Sequence, residues 1–123
     1  MIVGLGTDIV DLKRIEAVLK RFGERFLQRI CAPCELAAAV APGAAFTGGR
    51  FAAKEAAVKA LGTGFAHGIL PAQISILNAE SGQPRLVFSD AALAAATALG
   101  ARRWHVSISH ERRFALATVI LED

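Results

Sequence analysis

Glu55 and Lys59 stand one helical turn apart in the run Arg50-Phe51-Ala52-Ala53-Lys54-Glu55-Ala56-Ala57-Val58-Lys59-Ala60-Leu61, so they share a face. On a bare surface helix that spacing is a Glu-to-Lys pair worth roughly 0.3 kcal/mol. The neighbourhood suggests a second reading. Ala52, Ala53, Ala56, Ala57 and Ala60 are small enough for other backbone to come close. Glycines flank the run at Gly48-Gly49 and Gly62-Thr63-Gly64. Small residues and glycine loops around isolated charges suit a polyanionic ligand. Asp8 is the second carboxylate, at the end of an apolar segment and just before a helical one. It either caps that helix or joins Glu55 as an oxygen ligand for Mg²⁺, which takes one or two carboxylates with waters and phosphate oxygens. Two carboxylates, a helical lysine and nearby arginines are the parts of a phosphate-transfer site.

Other motifs are weaker. Gly4-Leu5-Gly6 invites a dinucleotide reading, but position 9 is Ile9 where the third glycine belongs. Ser109-His110 offers a Ser/His pair, yet neighbours on a strand point apart, which leaves His110 as a turn residue. Cys31 and Cys34 form a C-x-x-C after a helix, with no second pair to complete a zinc site. Six of the fourteen basic residues fall between Lys13 and Arg29. Arg14, Arg21 and Arg25 recur at i, i+7 and i+11 on one face of the first helix. Such a face is ordinary solvated charge or a docking surface for an acidic partner.

These residues need elements to hold them. Residues 2–7 read as a buried strand ended by Asp8. Residues 11–30 read as one amphipathic helix, with Leu12, Ile15, Leu19, Phe22, Phe26 and Ile30 along its stripe. A short helical segment follows at 35–40. Thr47 is the expected N-cap of a helix over 47–61, closed by Gly62. Residues 62–68 form a glycine loop. Residues 74–77 and 85–88 pair as a hairpin around a turn at 80–84. Ser89 caps an Ala-rich helix over 90–99. Residues 104–109 and 114–121 are two further strands. The order predicts one α+β domain over residues 1–123, with a largely antiparallel sheet, a long first helix and a second motif-bearing helix.

Composition agrees. A chain of 123 residues with 54% hydrophobic residues and a net charge of +3 is not disordered, and the charge is too weak to imply nucleic acid. No apolar run is long enough for a membrane helix, and the N-terminus lacks the basic region of a secretory signal. The expected setting is cytoplasmic.

Gly4-Leu5-Gly6-Thr7-Asp8-Ile9-Val10-Asp11 with Arg14-Ile15, the run from Arg50 through Leu61 with Gly62-Thr63-Gly64, and Ser107-Ile108-Ser109-His110 together resemble the bacterial holo-[acyl-carrier-protein] synthase family. Gly82-Gln83-Pro84 is similar to that family's hairpin turn. The resemblance implies a Mg²⁺-dependent 4′-phosphopantetheinyl transferase. Such an enzyme moves phosphopantetheine from coenzyme A to a serine of apo-acyl carrier protein, releasing adenosine 3′,5′-bisphosphate. It also implies a homotrimer with sites between subunits. Carried over, Asp8 and Glu55 correspond to the Mg²⁺ ligands, and Lys59 to the group meeting the pyrophosphate. Arg50 and His110 correspond to coenzyme A phosphate contacts, Gly62 and Gly64 to backbone near the ligand, and Arg14, Arg21 and Arg25 to the carrier-protein face. Around 37–46 this chain is short and Ala-rich, where the family carries longer, more charged sequence. The alternative from another class is a non-catalytic trimeric module binding coenzyme A or an acyl carrier protein. A redox or zinc protein built on Cys31 and Cys34 is the third reading.

Overall fold

A computed structural model describes residues 1–39 and 42–123. The chain begins with strand β1 (Ile2–Asp11), followed by helices α1 (Leu12–Phe22), α2 (Glu24–Ile30), α3 (Pro33–Ala38) and α4 (Ala44–Leu61). A 3-10 turn (Pro71–Gln73) leads into the hairpin β2 (Ile74–Asn78) and β3 (Pro84–Phe88). Helix α5 (Asp90–Ala98) and strands β4 (Arg103–His110) and β5 (Phe114–Glu122) complete it. The main sheet has the order β1-β5-β4, and the hairpin makes a separate two-stranded sheet. Every pairing is antiparallel, so the α+β expectation holds.

The central contact is α4 lying across the inner face of the main sheet. Ala52, Ala53, Ala56 and Ala57 are fully buried, which a helix face manages only if nothing longer intervenes. The sheet reciprocates with glycine. A Cβ on Gly4 would lie 2.3 Å from Ala60 O, and one on Gly6 would lie 1.9 Å from Ala56 O. The Gly4-x-Gly6 pair is therefore a seat for α4. Gly48 and Gly49 lie inside α4 rather than flanking it: a Cβ on Gly48 would meet Leu12 Cδ2 of α1 at 2.4 Å, and one on Gly49 would meet Ile108 Cγ2 of β4 at 3.3 Å. The glycines read as a ligand-binding surround are packing glycines at this end of the helix. Gly62 does close α4, at φ 75° with its N–H on Lys59 O, the left-handed conformation glycine adopts at low cost.

The hairpin docks through aromatic chemistry. Trp104 Nε1 donates to Leu86 O at 2.8 Å, and its ring meets Phe88 edge-on with centroids 5.1 Å apart. A buried ion pair ties the helices to this hairpin. Lys54 Nζ donates to Glu35 Oε1 at 2.6 Å, to Ile74 O at 2.6 Å and to Pro71 O at 2.9 Å. Glu35 also accepts from Ala32 N at 2.9 Å and from Ile76 N at 3.2 Å. Both side chains are essentially inaccessible to solvent. Burial pulls the Lys54 ammonium down from the ordinary lysine value, and the charge of Glu35 opposes that pull.

Several boundaries differ from the sequence reading. The amphipathic helix over 11–30 is two helices, because Gly23 takes φ 55° and caps both ends. β1 runs through Asp8 to Asp11, and Asp11 caps α1 by accepting from Lys13 N at 2.9 Å. Asp8 is thereby freed from the capping role. The segment at 35–40 starts two residues early as α3, with Pro33 in the first turn, and its end at Val40 lies outside the described residues. α4 starts at Ala44 behind Gly43, so Thr47 is inside the helix, buried, and not its cap. Ser89 does precede α5, but its hydroxyl donates to Gln73 O at 3.4 Å instead of capping.

Candidate active site

β1 and α4 bring three of the expected side chains together. Inner-face residues of β1 alternate as Gly4, Gly6, Asp8 and Val10, so Asp8 projects toward α4 just beyond the glycine seat. Lys59 Nζ donates to Asp8 Oδ1 at 3.0 Å and to Thr7 O at 3.0 Å. Glu55 lies one turn before Lys59. Burial and the nearby charge of Asp8 raise its pKa above the ordinary glutamate value, while Lys59 opposes them. A carboxylate disfavoured by a second carboxylate is a place where a cation would be welcome. Among the described residues no three His, Cys, Asp or Glu side chains cluster, so the pair stands alone. That is the donor set suited to Mg²⁺ completed by water and phosphate oxygens, not to a closed protein cage.

Asp8 and Glu55 line a cavity of about 320 Å³ with Arg14, Ile15, Val18, Phe26 and Phe51. A second cavity of about 430 Å³, lined by Val18, Phe22, Arg25, Phe26 and Arg29, shares two of those residues. Together they make a groove from the carboxylates along α1 and α2, apolar at its floor and cationic at its rim. Arg14 and Arg25 line it. Arg21 is exposed and rests its guanidinium over Phe22 at 5.1 Å from the ring centroid. Arg25 sits on α2, so the three arginines do not share one helix; the break at Gly23 divides them.

Arg50 and His110 line neither cavity. Arg50 is held elsewhere, with Nη2 on Asn78 Oδ1 at 3.3 Å and its guanidinium 4.2 Å from the centroid of Phe46. His110 is exposed at the end of β4. At the end of α4, the N–H groups of Gly62, Thr63 and Gly64 all donate back to carbonyls of Lys59 and Val58. The loop thus offers open space beside the site, with its amides already engaged.

Sequence reasoning did not single out Phe51 and Phe26, which wall the cavity, or the Lys54–Glu35 pair. Glu35 stands three residues after Ala32 with Pro33 between, a helix-start spacing that could have flagged a carboxylate turned back toward the chain. Both cysteines are free. Cys31 is buried and its thiol is pushed up to about 11 by desolvation and by Glu35, while Cys34 is exposed against Ser75.

A family model described as the 4′-phosphopantetheinyl transferase superfamily matches residues 4–119. The holo-[acyl-carrier-protein] synthase of Solidesulfovibrio magneticus is 57% identical over 122 residues, 99% of each chain. That of Nitratidesulfovibrio vulgaris is 52% identical over 124 residues and covers all of each chain. The crystal structure of the Neisseria meningitidis enzyme superposes with a TM-score of 0.89 at 39% identity, over 100% of each chain. That of the Helicobacter pylori enzyme in complex with coenzyme A does so at 0.85 and 31% identity, over 96% of this chain and 99% of the other. The chain belongs to the holo-[acyl-carrier-protein] synthase family within the 4′-phosphopantetheinyl transferase superfamily.

Proposed function

We propose that Asp8, Glu55 and Lys59 form the centre at which this family's reaction runs in this chain. The reaction transfers 4′-phosphopantetheine from coenzyme A to a serine of apo-acyl carrier protein. As the serine hydroxyl gives up its proton to Glu55 or to a water, its oxygen forms a bond to the β-phosphorus of the pyrophosphate. The bond from that phosphorus to the bridging oxygen breaks, and adenosine 3′,5′-bisphosphate leaves with the electron pair. The observation that carries the proposal is the Asp8–Lys59 pair set beside a glutamate of raised pKa, at the mouth of a cavity.

Asp8 and Glu55 would hold Mg²⁺. Bound there, the ion supplies charge neutralisation and polarisation at the pyrophosphate oxygens. Lys59 places a cation where the departing charge develops, and Asp8 holds it in position until substrate arrives. The small residues of α4 and the glycine seat pack helix against strand and so hold Glu55 and Lys59 beside Asp8. Catalysis here is positioning and charge compensation, with little covalent work for the protein.

Further readings extend this one. Arg50 and His110 bind coenzyme A phosphates, in a site shared between subunits of a homotrimer. The uncovered outer face of the main sheet supports that assembly. Leu5, Ile9, Leu116 and Phe114 lie on it at 63%, 62%, 43% and 38% exposure, a large apolar patch for a lone chain. The chain is one domain over 1–123 and works in the cytoplasm; no helix in the described residues is long and apolar enough to cross a membrane. Arg14 and Arg25 on the groove rim, with Arg21 beside it, meet the acidic carrier. A non-catalytic binding module would not require the paired carboxylates beside the cavity.

The test is the rate of transfer against Mg²⁺ concentration. Wild-type protein should lose turnover on chelation and regain it with added Mg²⁺. Asp8→Asn and Glu55→Gln should cut the rate at least about a hundredfold, the cost of losing a group that compensates transition-state charge. Turnover that survives both substitutions would remove these residues from the centre.

A further inference from the structure

We propose that Phe46 and Asn78 are positioning residues for Arg50, presetting its guanidinium to receive a phosphate of coenzyme A. The inference rests on the reading of Arg50 as a coenzyme A contact. Phe46 and Arg50 are four residues apart on α4, and the ring lies under the guanidinium at 4.2 Å. Asn78, at the end of β2 beside the hairpin turn, accepts from Nη2 at 3.3 Å. One neighbour therefore fixes the plane of the group and the other its rotation about the side-chain axis.

The charge itself is left unmatched. Among the described residues no carboxylate lies within ion-pair distance of Arg50; the nearby Glu35 is wholly engaged by Lys54, Ala32 and Ile76. Arg50 Nε is buried and has no hydrogen-bond partner among the described residues. Neither positioner is anionic, so both can orient the cation without cancelling it. A half-buried guanidinium with no counter-ion is incomplete by itself, and a phosphate supplies the missing anion. Presetting matters because an unrestrained arginine loses rotamer freedom on binding. Both positioners come from the chain's own packing. Phe46 closes the short Ala-rich stretch where the family carries more charge, and Asn78 is set by the hairpin register opposite Pro84.

The experiment measures the Kd of coenzyme A by calorimetry, and KM and kcat separately, for Arg50→Ala, Phe46→Ala, Asn78→Ala and Asn78→Asp, and for Arg50→Ala combined with each alanine variant. Phe46→Ala and Asn78→Ala should raise Kd and KM about fivefold to tenfold, the scale of one cation–π contact or one charge-assisted hydrogen bond, with a smaller change in kcat. Phe46→Trp should restore binding. Asn78→Asp tells positioning from simple structure: it would hold the guanidinium more firmly yet cancel its charge, so it should weaken binding at least as much as Asn78→Ala without lowering Tm. In the Arg50→Ala background the alanine substitutions should add nothing. Additive effects there, or wild-type KM in Asn78→Asp, would overturn the proposal. Normal KM in Arg50→Ala would overturn the coenzyme A reading of Arg50 and this proposal with it. An Arg50→Ala defect with unaffected Phe46 and Asn78 variants would leave that reading standing and overturn the proposal alone.

Discussion

Gly6→Ala adds one methyl group to the chain, and the structure places it badly. The new Cβ would sit 1.9 Å from Ala56 O, 2.6 Å from Ala60 N and 2.9 Å from Ala56 C. All three are backbone atoms of α4, so no side chain can swing aside. Reaching an ordinary 3.4 Å contact requires strand and helix to separate by about 1.5 Å. Ala56 and Ala60 directly follow Glu55 and Lys59, and Gly6 is two residues from Asp8 on the same face. The separation therefore opens the Lys59–Asp8 bond, now 3.0 Å, and moves Glu55 with it. Overpacking of this kind costs about 3 kcal/mol, offset by up to about 1 kcal/mol from stiffening the unfolded chain. A misplacement beyond 1 Å at a positioning site costs roughly a hundredfold in rate. The assay is kcat for phosphopantetheine transfer at a temperature well below the measured Tm, so that unfolding does not mimic the loss. Gly49→Ala is the comparison: its Cβ would meet only Ile108 Cγ2, at 3.3 Å, and α4 gains up to about 1 kcal/mol of helix propensity. It should leave Tm unchanged or raised and kcat near wild type. A Gly6→Ala protein with near-wild-type kcat and Tm would refute the glycine seat as the device that sets the site.

Three other outcomes follow from the same geometry. Lys54→Met strands a buried carboxylate and should cost about 3–5 kcal/mol in chemical denaturation, most of it recovered when Glu35→Leu is added. Without metal, the Glu55 carboxylate opposes folding, since its pKa is raised in the folded chain. The uncharged side chain costs nothing below the ordinary glutamate value, and stability is lost as pH rises through the folded value, so Glu55→Gln should match or exceed wild-type Tm at pH 7. That difference should vanish at acid pH in thermal scans, and a Glu55→Gln protein less stable than wild type at pH 7 would contradict it. Arg25→Glu should raise KM for the carrier about tenfold at low salt, and the defect should shrink as ionic strength rises past about 0.15 M. A salt-independent defect would argue against electrostatic docking.

Half of the candidate site was legible in the sequence because helical spacing fixes Glu55 and Lys59 on one face. Asp8 read as the end of a strand, either a helix cap or a partner of Glu55, and it meets Lys59 only through the fold. The strand pairs and α5 were legible because their patterns are local. What escaped depends on distant contacts. The stripe over 11–30 keeps its period across Gly23, so periodicity alone could not show that one glycine divides it. Thr47 has the chemistry of a cap, but the helix starts earlier: Ala44 packs against the core, and the Thr47 N–H already donates to Gly43 O. Gly48 and Gly49 looked like part of a ligand-binding surround, but they lie inside α4, packed against α1 and β4. Lys54 and Glu35 are nineteen residues apart and meet only through the fold.

The most direct measurement of the central claim is the intact mass of an apo-acyl carrier protein after incubation with coenzyme A, Mg²⁺ and this protein, run beside its Glu55→Gln and Lys59→Ala variants. The account predicts a carrier heavier by one phosphopantetheine with the wild type, and an unmodified carrier over the same period with either folded variant. An unchanged carrier with wild-type protein across several carriers, or full modification by both variants, would contradict it.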